Sequence, residues 1–226
     1  MNPWTLIDSA EIKKGGGELR LYRRGNDYSI MIAGVGELMS SRTYGSEEKL
    51  AELGCRRATE QSQPRVLVGG LGIGFTLAAA LGQLGPDVEV VVAELVPAVV
   101  HWNREYLGQF AGHPLDDPRT TVTITDVAAL LRAEQGGYDA ILLDVDNGPE
   151  GLTHRGNDWL YRTAGLQAAY DALRPNGILA VWSAGPDALF GERLRRVGFI
   201  VEEHRVRAHR DRRGARHIIW VAERYD

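Results

Sequence analysis

Cysteine is almost missing from this chain. Of 226 residues only Cys55 carries a thiol, so no intrachain disulfide can form and no cysteine-based metal site is expected. Long apolar runs are missing too, and none approaches the ~18–20 residues that cross a bilayer as a helix. The opening stretch MNPWTLIDSAEIKKGGG has neither the charged n-region nor the apolar h-region of a secretory signal. The expected setting is therefore the cytoplasm, with no membrane partner. There is no internal repeat and no low-complexity segment. The net charge of −4 gives no global signature of a nucleic-acid binder. What remains is a globular mixture, 44% hydrophobic and 25% charged, in a chain long enough to bury a core of its own.

Two regions differ in rhythm. In ELRLYRRGNDYSIMIAG, two alternating runs flank the turn-rich RGND, which predicts a β-hairpin within a small N-terminal β element at residues 1–45. A helix follows from Ser46, which reads as its cap with Glu48 close behind. The remaining unit, residues 46–226, alternates strands and helices. Strands are predicted at 65–69, 88–93, 120–124, 139–143 and 177–182, and helices near 74–84, 97–109, 127–134 and 159–173. This order predicts an α/β fold with a parallel sheet covered on both faces. A helix at 187–197 and two directly joined strands, FIVEEHRVRAH and RHIIWVAER, close the chain and make one sheet edge antiparallel. The whole is a Rossmann-like, seven-stranded sheet with a terminal antiparallel hairpin.

The stretch RVLVGGLGIGFTLAAAL carries Gly70, Gly72 and Gly74 between the first strand and its helix. Glycine permits positive φ and lets a ligand touch the backbone, while a helix N-terminus adds exposed amides. Taken alone, the same turn also serves as plain punctuation. Glu94, at the end of the second strand, stands where an acid can accept both hydroxyls of a ribose. That suits a nicotinamide dinucleotide and S-adenosylmethionine (SAM) alike. A dinucleotide fingerprint wants a glycine where this chain has Phe75, which puts a dehydrogenase last among the readings. Asp126, just after the third strand, is placed to bond an adenine amino group or to cap the next helix, and one residue can do both.

The segment YDAILLDVDNGPEGLTHRGNDWLY ends a buried strand with Asp144 and adds Asp146 and Glu150. Ligands of open α/β sheets bind beyond the carboxyl ends of the strands, so Asp144 faces the same crevice as the glycine turn and Glu94. Asp158 reads as the cap of WLYRTAGLQAAY. VLVGGLGIGF, AELVP, TDVAAL and YDAILLDVDNGPEGL…DWLY…LRPNGILAV together resemble the spermidine synthase family of aminopropyltransferases, within the class I SAM-dependent methyltransferase fold, over roughly residues 18–185. The resemblance implies Asp144 as the base that deprotonates an attacking amine. It also implies Glu94 at the ribose, Asp126 and Val127 at the adenine, and Asp146, Asn147, Glu150 and Tyr161 around the acceptor. The chain departs from the family where Ile73 replaces the aspartate that helps hold the amine of decarboxylated SAM, and where Asn147 replaces a further acid.

RVRAHRDRRGARH, residues 205–217, holds six arginines. Such a run is a solvated face or an anion-attracting loop at the crevice edge, which would suit an anionic acceptor and repel a polyamine. No aromatic–basic interleaving supports nucleic acid as a partner. His204, His209 and His217 lack metal-ligand spacing, so no metal is expected. The primary reading is methyl transfer from SAM to a small nucleophilic acceptor, with SAM or decarboxylated SAM as co-substrate. Aminopropyl transfer comes second, and a non-catalytic nucleoside-binding module third. A homodimer is compatible with the sequence.

Overall fold

Short β-branched runs bounded by turns become the strands of a central sheet. The structure, a computed structural model, describes residues 3–12, 17–145, 158–209 and 214–225. Strands β1 (Thr5–Glu11), β2 (Glu18–Arg24), β3 (Asp27–Ile32) and β4 (Gly36–Ser40) form a separate antiparallel sheet in that order. The expected hairpin is its middle pair, closed by the two residues Gly25 and Asn26 between the partners Arg24 and Asp27. β1 is exposed along nearly all its length, so it has no alternating apolar face to reveal it.

The chain continues through α1 (Gly45–Gly54), β5 (Arg65–Gly69), α2 (Phe75–Gln83), β6 (Glu89–Glu94) and α3 (Pro97–Trp102). Next come β7 (Thr120–Ile124), α4 (Val127–Ala133), β8 (Tyr138–Leu143), α5 (Asp158–Tyr161) and α6 (Thr163–Ala172). The last elements are β9 (Leu173–Ser183), α7 (Ala188–Val197), β10 (Phe199–Arg207) and β11 (Arg216–Arg224). Seven strands form one mixed sheet in the order β10-β11-β9-β8-β5-β6-β7. β11 runs antiparallel to both β9 and β10, so β10 is parallel to the remaining strands. The β10–β11 connection therefore lies at the carboxyl edge of the sheet, the same edge as the glycine turn. Of the arginine-rich stretch, residues 210–213, including Arg210, Arg212 and Arg213, lie outside the described residues.

Because side chains alternate across a strand, the sheet feeds two cores. Val66, Val68, Val92 and Leu142 face α1, α2, α3 and the N-terminal sheet. Leu67, Val91, Ile141 and Leu143 face α4, α6 and α7. Tyr28 of β3 packs its ring on Tyr106 and Phe110, which follow α3, and Trp102 Nε1 donates to Asp8 at 2.7 Å. These contacts clamp the small sheet over the crevice. No helix among the described residues is long and apolar enough to cross a membrane.

Three local expectations change. α1 begins at Gly45 with Tyr44 in the cap position and no side-chain cap bond, so Ser46 is not the cap. Its hydroxyl is drawn instead to Glu47 and His217. The helix expected over 159–173 is broken at Arg162 into α5 and α6, with Asp158 inside α5 and paired to Arg162 at 3.5 Å. The helix expected over 97–109 stays α-helical only to Trp102 and then widens into a π-turn at Asn103–Leu107.

Candidate active site

The turn after β5 is squeezed between two other elements. Gly70 and Gly72 adopt φ of +90° and +53°. A Cβ on Gly70 would overlap the Asp144 carbonyl oxygen, and one on Gly72 would sit 2.9 Å from Met39 Sδ of β4. Conformation favours glycine at both positions, and at Gly70 the fixed backbone of Asp144 requires it by space as well. Gly74 is also left-handed but packs on Pro114 and Asn103, behind the crevice. The Asn103 side chain holds the turn by donating to the Gly72 carbonyl at 2.6 Å. The amides of Gly70 and Asp144 add bonds of 2.9 Å to the carbonyls of Ala93 and Gly69.

Glu94 is buried at the end of β6. Its Oε2 accepts the Leu71 N–H at 3.0 Å and its Oε1 the Val96 N–H at 2.8 Å. A carboxylate has about four acceptor positions, so bracing the turn is compatible with accepting ribose hydroxyls. Asp126 caps α4, its Oδ1 accepting the Ala128 N–H at 2.9 Å, and it lines the crevice as well. Gly70, Gly72, Glu94, Asp126, Val127 and Asp144 all border one crevice, whose apolar walls include Leu95, Val96, Val99 and Ile30. Apolar walls with a few convergent acceptors fit a nucleoside. Replacing Glu94 by alanine should weaken nucleoside binding by roughly 1–3 kcal/mol, the scale of hydrogen bonds to a charged group. Titration calorimetry reads this directly, and unchanged affinity would leave Glu94 with the turn alone.

Asp144 also borders a second, smaller pocket with Leu38, Met39, Ser40, Glu47, Ile73, Phe75 and Trp182. Met39 and Gly72 are common to both spaces, so the two adjoin. Thr76 Oγ1 donates to Asp144 Oδ2 at 2.6 Å, which fixes the carboxylate. Burial pushes the Asp144 carboxyl up to about 6 against the lowering effect of that bond. Glu47 is pushed up to about 7, first by burial and then by the charge of Asp144, with the Ser46 bond opposing. Two carboxyls bordering one pocket make it a cation-attracting space with proton acceptors near neutrality.

Ile73 is buried, and no acid stands at that point of the pocket wall. The Tyr161 ring packs on Phe190, and its hydroxyl donates to the Val145 carbonyl at 3.0 Å. It acts on the chain just after Asp144 and is not part of either pocket's lining. Asp146, Asn147 and Glu150 fall outside the described residues. Glu47 and Thr76 are not singled out by the sequence. GSEEK looks like a solvated helix start, and Thr76 like an ordinary first-turn residue, because only the fold brings both to Asp144.

The profile of the spermine/spermidine synthase domain matches residues 47–187. Putrescine N-methyltransferase 1 of Nicotiana tabacum is 35% identical over 117 residues, which is 51% of this chain and 29% of that protein. Polyamine aminopropyltransferase 2 of Pseudomonas aeruginosa is 33% identical over 124 residues, 53% of this chain and 33% of that one. The chain thus spans about a third or less of the length of these two relatives. A spermidine synthase crystallised with the transition-state analogue AdoDATO superposes with a TM-score of 0.73 at 20% identity, covering 97% of this chain and 72% of that one. The spermidine synthase of Thermotoga maritima gives 0.72 at 19% identity, with the same coverage. With the matched segment spanning more than half of the chain and most of the central sheet, the chain belongs to the spermine/spermidine synthase domain family.

Proposed function

We propose that the protein is a SAM-dependent transferase that methylates an amine of a small acceptor. The observation that carries this reading is the position of Asp144, which borders the nucleoside crevice on one side and the acidic pocket with Glu47 on the other. A donor sulfonium in the first space and an amine in the second would meet beside that carboxylate. SAM, when bound, supplies a methyl carbon open to in-line attack by a neutral amine. The C–N bond forms as the C–S bond breaks, with its electron pair going to sulfur.

The chain's own residues do the rest. The glycine turn and Glu94 orient the nucleoside, which gives proximity its catalytic value. Asp144, held by Thr76, takes the proton that an ammonium acceptor must lose. The acidic lining favours a cation over the anionic acceptor that the arginine-rich stretch suggested. Relatives carrying the names putrescine N-methyltransferase and polyamine aminopropyltransferase support a polyamine-type acceptor, for which putrescine is the natural probe.

Aminopropyl transfer from decarboxylated SAM is the second reading, favoured by the overall match to spermidine synthases. Ile73 weighs against it, since a buried isoleucine cannot pair with the donor's amine, which in decarboxylated SAM has no carboxylate beside it. Calorimetry with both donors and their two thioether products separates the readings. SAM should bind at least as tightly as its decarboxylated form. A strong preference for the decarboxylated donor would overturn the order.

A further inference from the structure

Glu47 stands in the first turn of α1, and its carboxylate is tethered from behind. The Ser46 hydroxyl is fully buried and donates to Glu47 Oε2 at 2.7 Å. Ser46 Oγ also lies 3.0 Å from His217 Nδ1 on β11. A serine hydroxyl has one proton. With that proton committed to an ionised Glu47, the oxygen can only accept from His217, so Nδ1 carries the hydrogen. The imidazole is itself fixed by an edge contact with Trp182, ring centres 4.6 Å apart, and Trp182 lines the same acidic pocket. A backbone bond from Gly45 N–H to the Ala208 carbonyl, 2.8 Å, ties the start of α1 to the same hairpin.

From this geometry we infer that His217 is a positioning residue for the acceptor: through Ser46 it aims the Glu47 carboxylate into the acceptor pocket. The inference rests on the acceptor reading above, since it gives the pocket its occupant. The chain of donors runs one way, His217 to Ser46 to Glu47, and leaves the far oxygen of Glu47 to meet a cation. Cutting the chain at His217 leaves the Ser46 hydroxyl with Glu47 as its one tether, and the carboxylate direction is less firmly set. The hairpin that carries the arginine-rich stretch is thereby coupled to the acceptor pocket.

Two measurements test this. In nitrogen-15 imidazole spectra recorded above the pH at which Glu47 ionises, His217, assigned by its loss in H217N, should be the Nδ1–H tautomer. In Ser46→Ala it should no longer be held in that form. An Nε2–H tautomer in the wild-type protein overturns the inference. In steady-state kinetics with a short aliphatic diamine, His217→Leu should raise the acceptor KM up to about tenfold, the upper worth of one neutral hydrogen bond, with the donor's Kd unchanged. His217→Asn, which keeps an N–H near the Nδ1 position, should restore most of the loss. An unchanged KM in His217→Leu, or a KM equally raised in both variants, contradicts the positioning role. If the wild-type protein methylates no amine, the acceptor reading falls while the spectra still decide the hydrogen-bond chain.

Discussion

Asp144→Asn should keep the fold and most of the donor affinity but lose about 10²–10⁴ in turnover, the usual worth of a positioned proton acceptor. Asparagine preserves the shape and the Thr76 bond, since its amide oxygen accepts as the carboxylate oxygen does. It cannot take a proton from an ammonium. The pH profile adds a second signature. Burial raises Asp144 to about 6, and its charge helps hold Glu47 near 7. Both groups work ionised, so wild-type activity should fall as pH drops through 7 and then 6. Removing the Asp144 charge takes away the second cause of the Glu47 shift, so the residual activity should lose its acidic limb at a lower pH. Full turnover in Asp144→Asn would remove the residue from the chemistry.

Gly72→Val should abolish nucleoside binding while leaving a folded protein. A β-branched residue at φ +53° strains the turn by about 1–3 kcal/mol, and its first carbon already meets Met39 Sδ at 2.9 Å. The remaining methyl groups would occupy the space shared by the two pockets. A loss of roughly a hundredfold or more in donor affinity is expected, each tenfold being about 1.4 kcal/mol. Circular dichroism checks the fold. Gly70 is the harsher position, because a side chain there would push the Asp144 carbonyl itself and disturb donor and acceptor together. A folded Gly72→Val protein with normal affinity would reduce the turn to punctuation.

The sequence carries the sheet well, and the reason is burial. β5, β6 and β8 are short apolar runs hidden on both faces, and such runs alternating with helices admit few arrangements. That Glu94, Asp126 and Asp144 border one crevice is legible because strand ends of such sheets point to one place. What local pattern could not show are residues whose role comes from distant partners. Ser46 looks like a cap because its composition is that of caps, yet a histidine from the last strand competes for its hydroxyl. Glu47 looks solvated because the element that encloses it, β8 with Asp144, lies far along the chain. Tyr161 follows the family segment in sequence, and in the fold its ring packs on Phe190 while its hydroxyl reaches the Val145 carbonyl. β1 escaped because an exposed edge strand has no face to alternate.

The central claim is that a methyl group, and not an aminopropyl group, is moved to an amine beside Asp144. The direct measurement is a competition in which the wild-type protein receives a short aliphatic diamine with equal amounts of SAM and decarboxylated SAM, and the products are identified by mass spectrometry. The account predicts an N-methylated diamine together with S-adenosylhomocysteine. An aminopropylated diamine together with methylthioadenosine would contradict it.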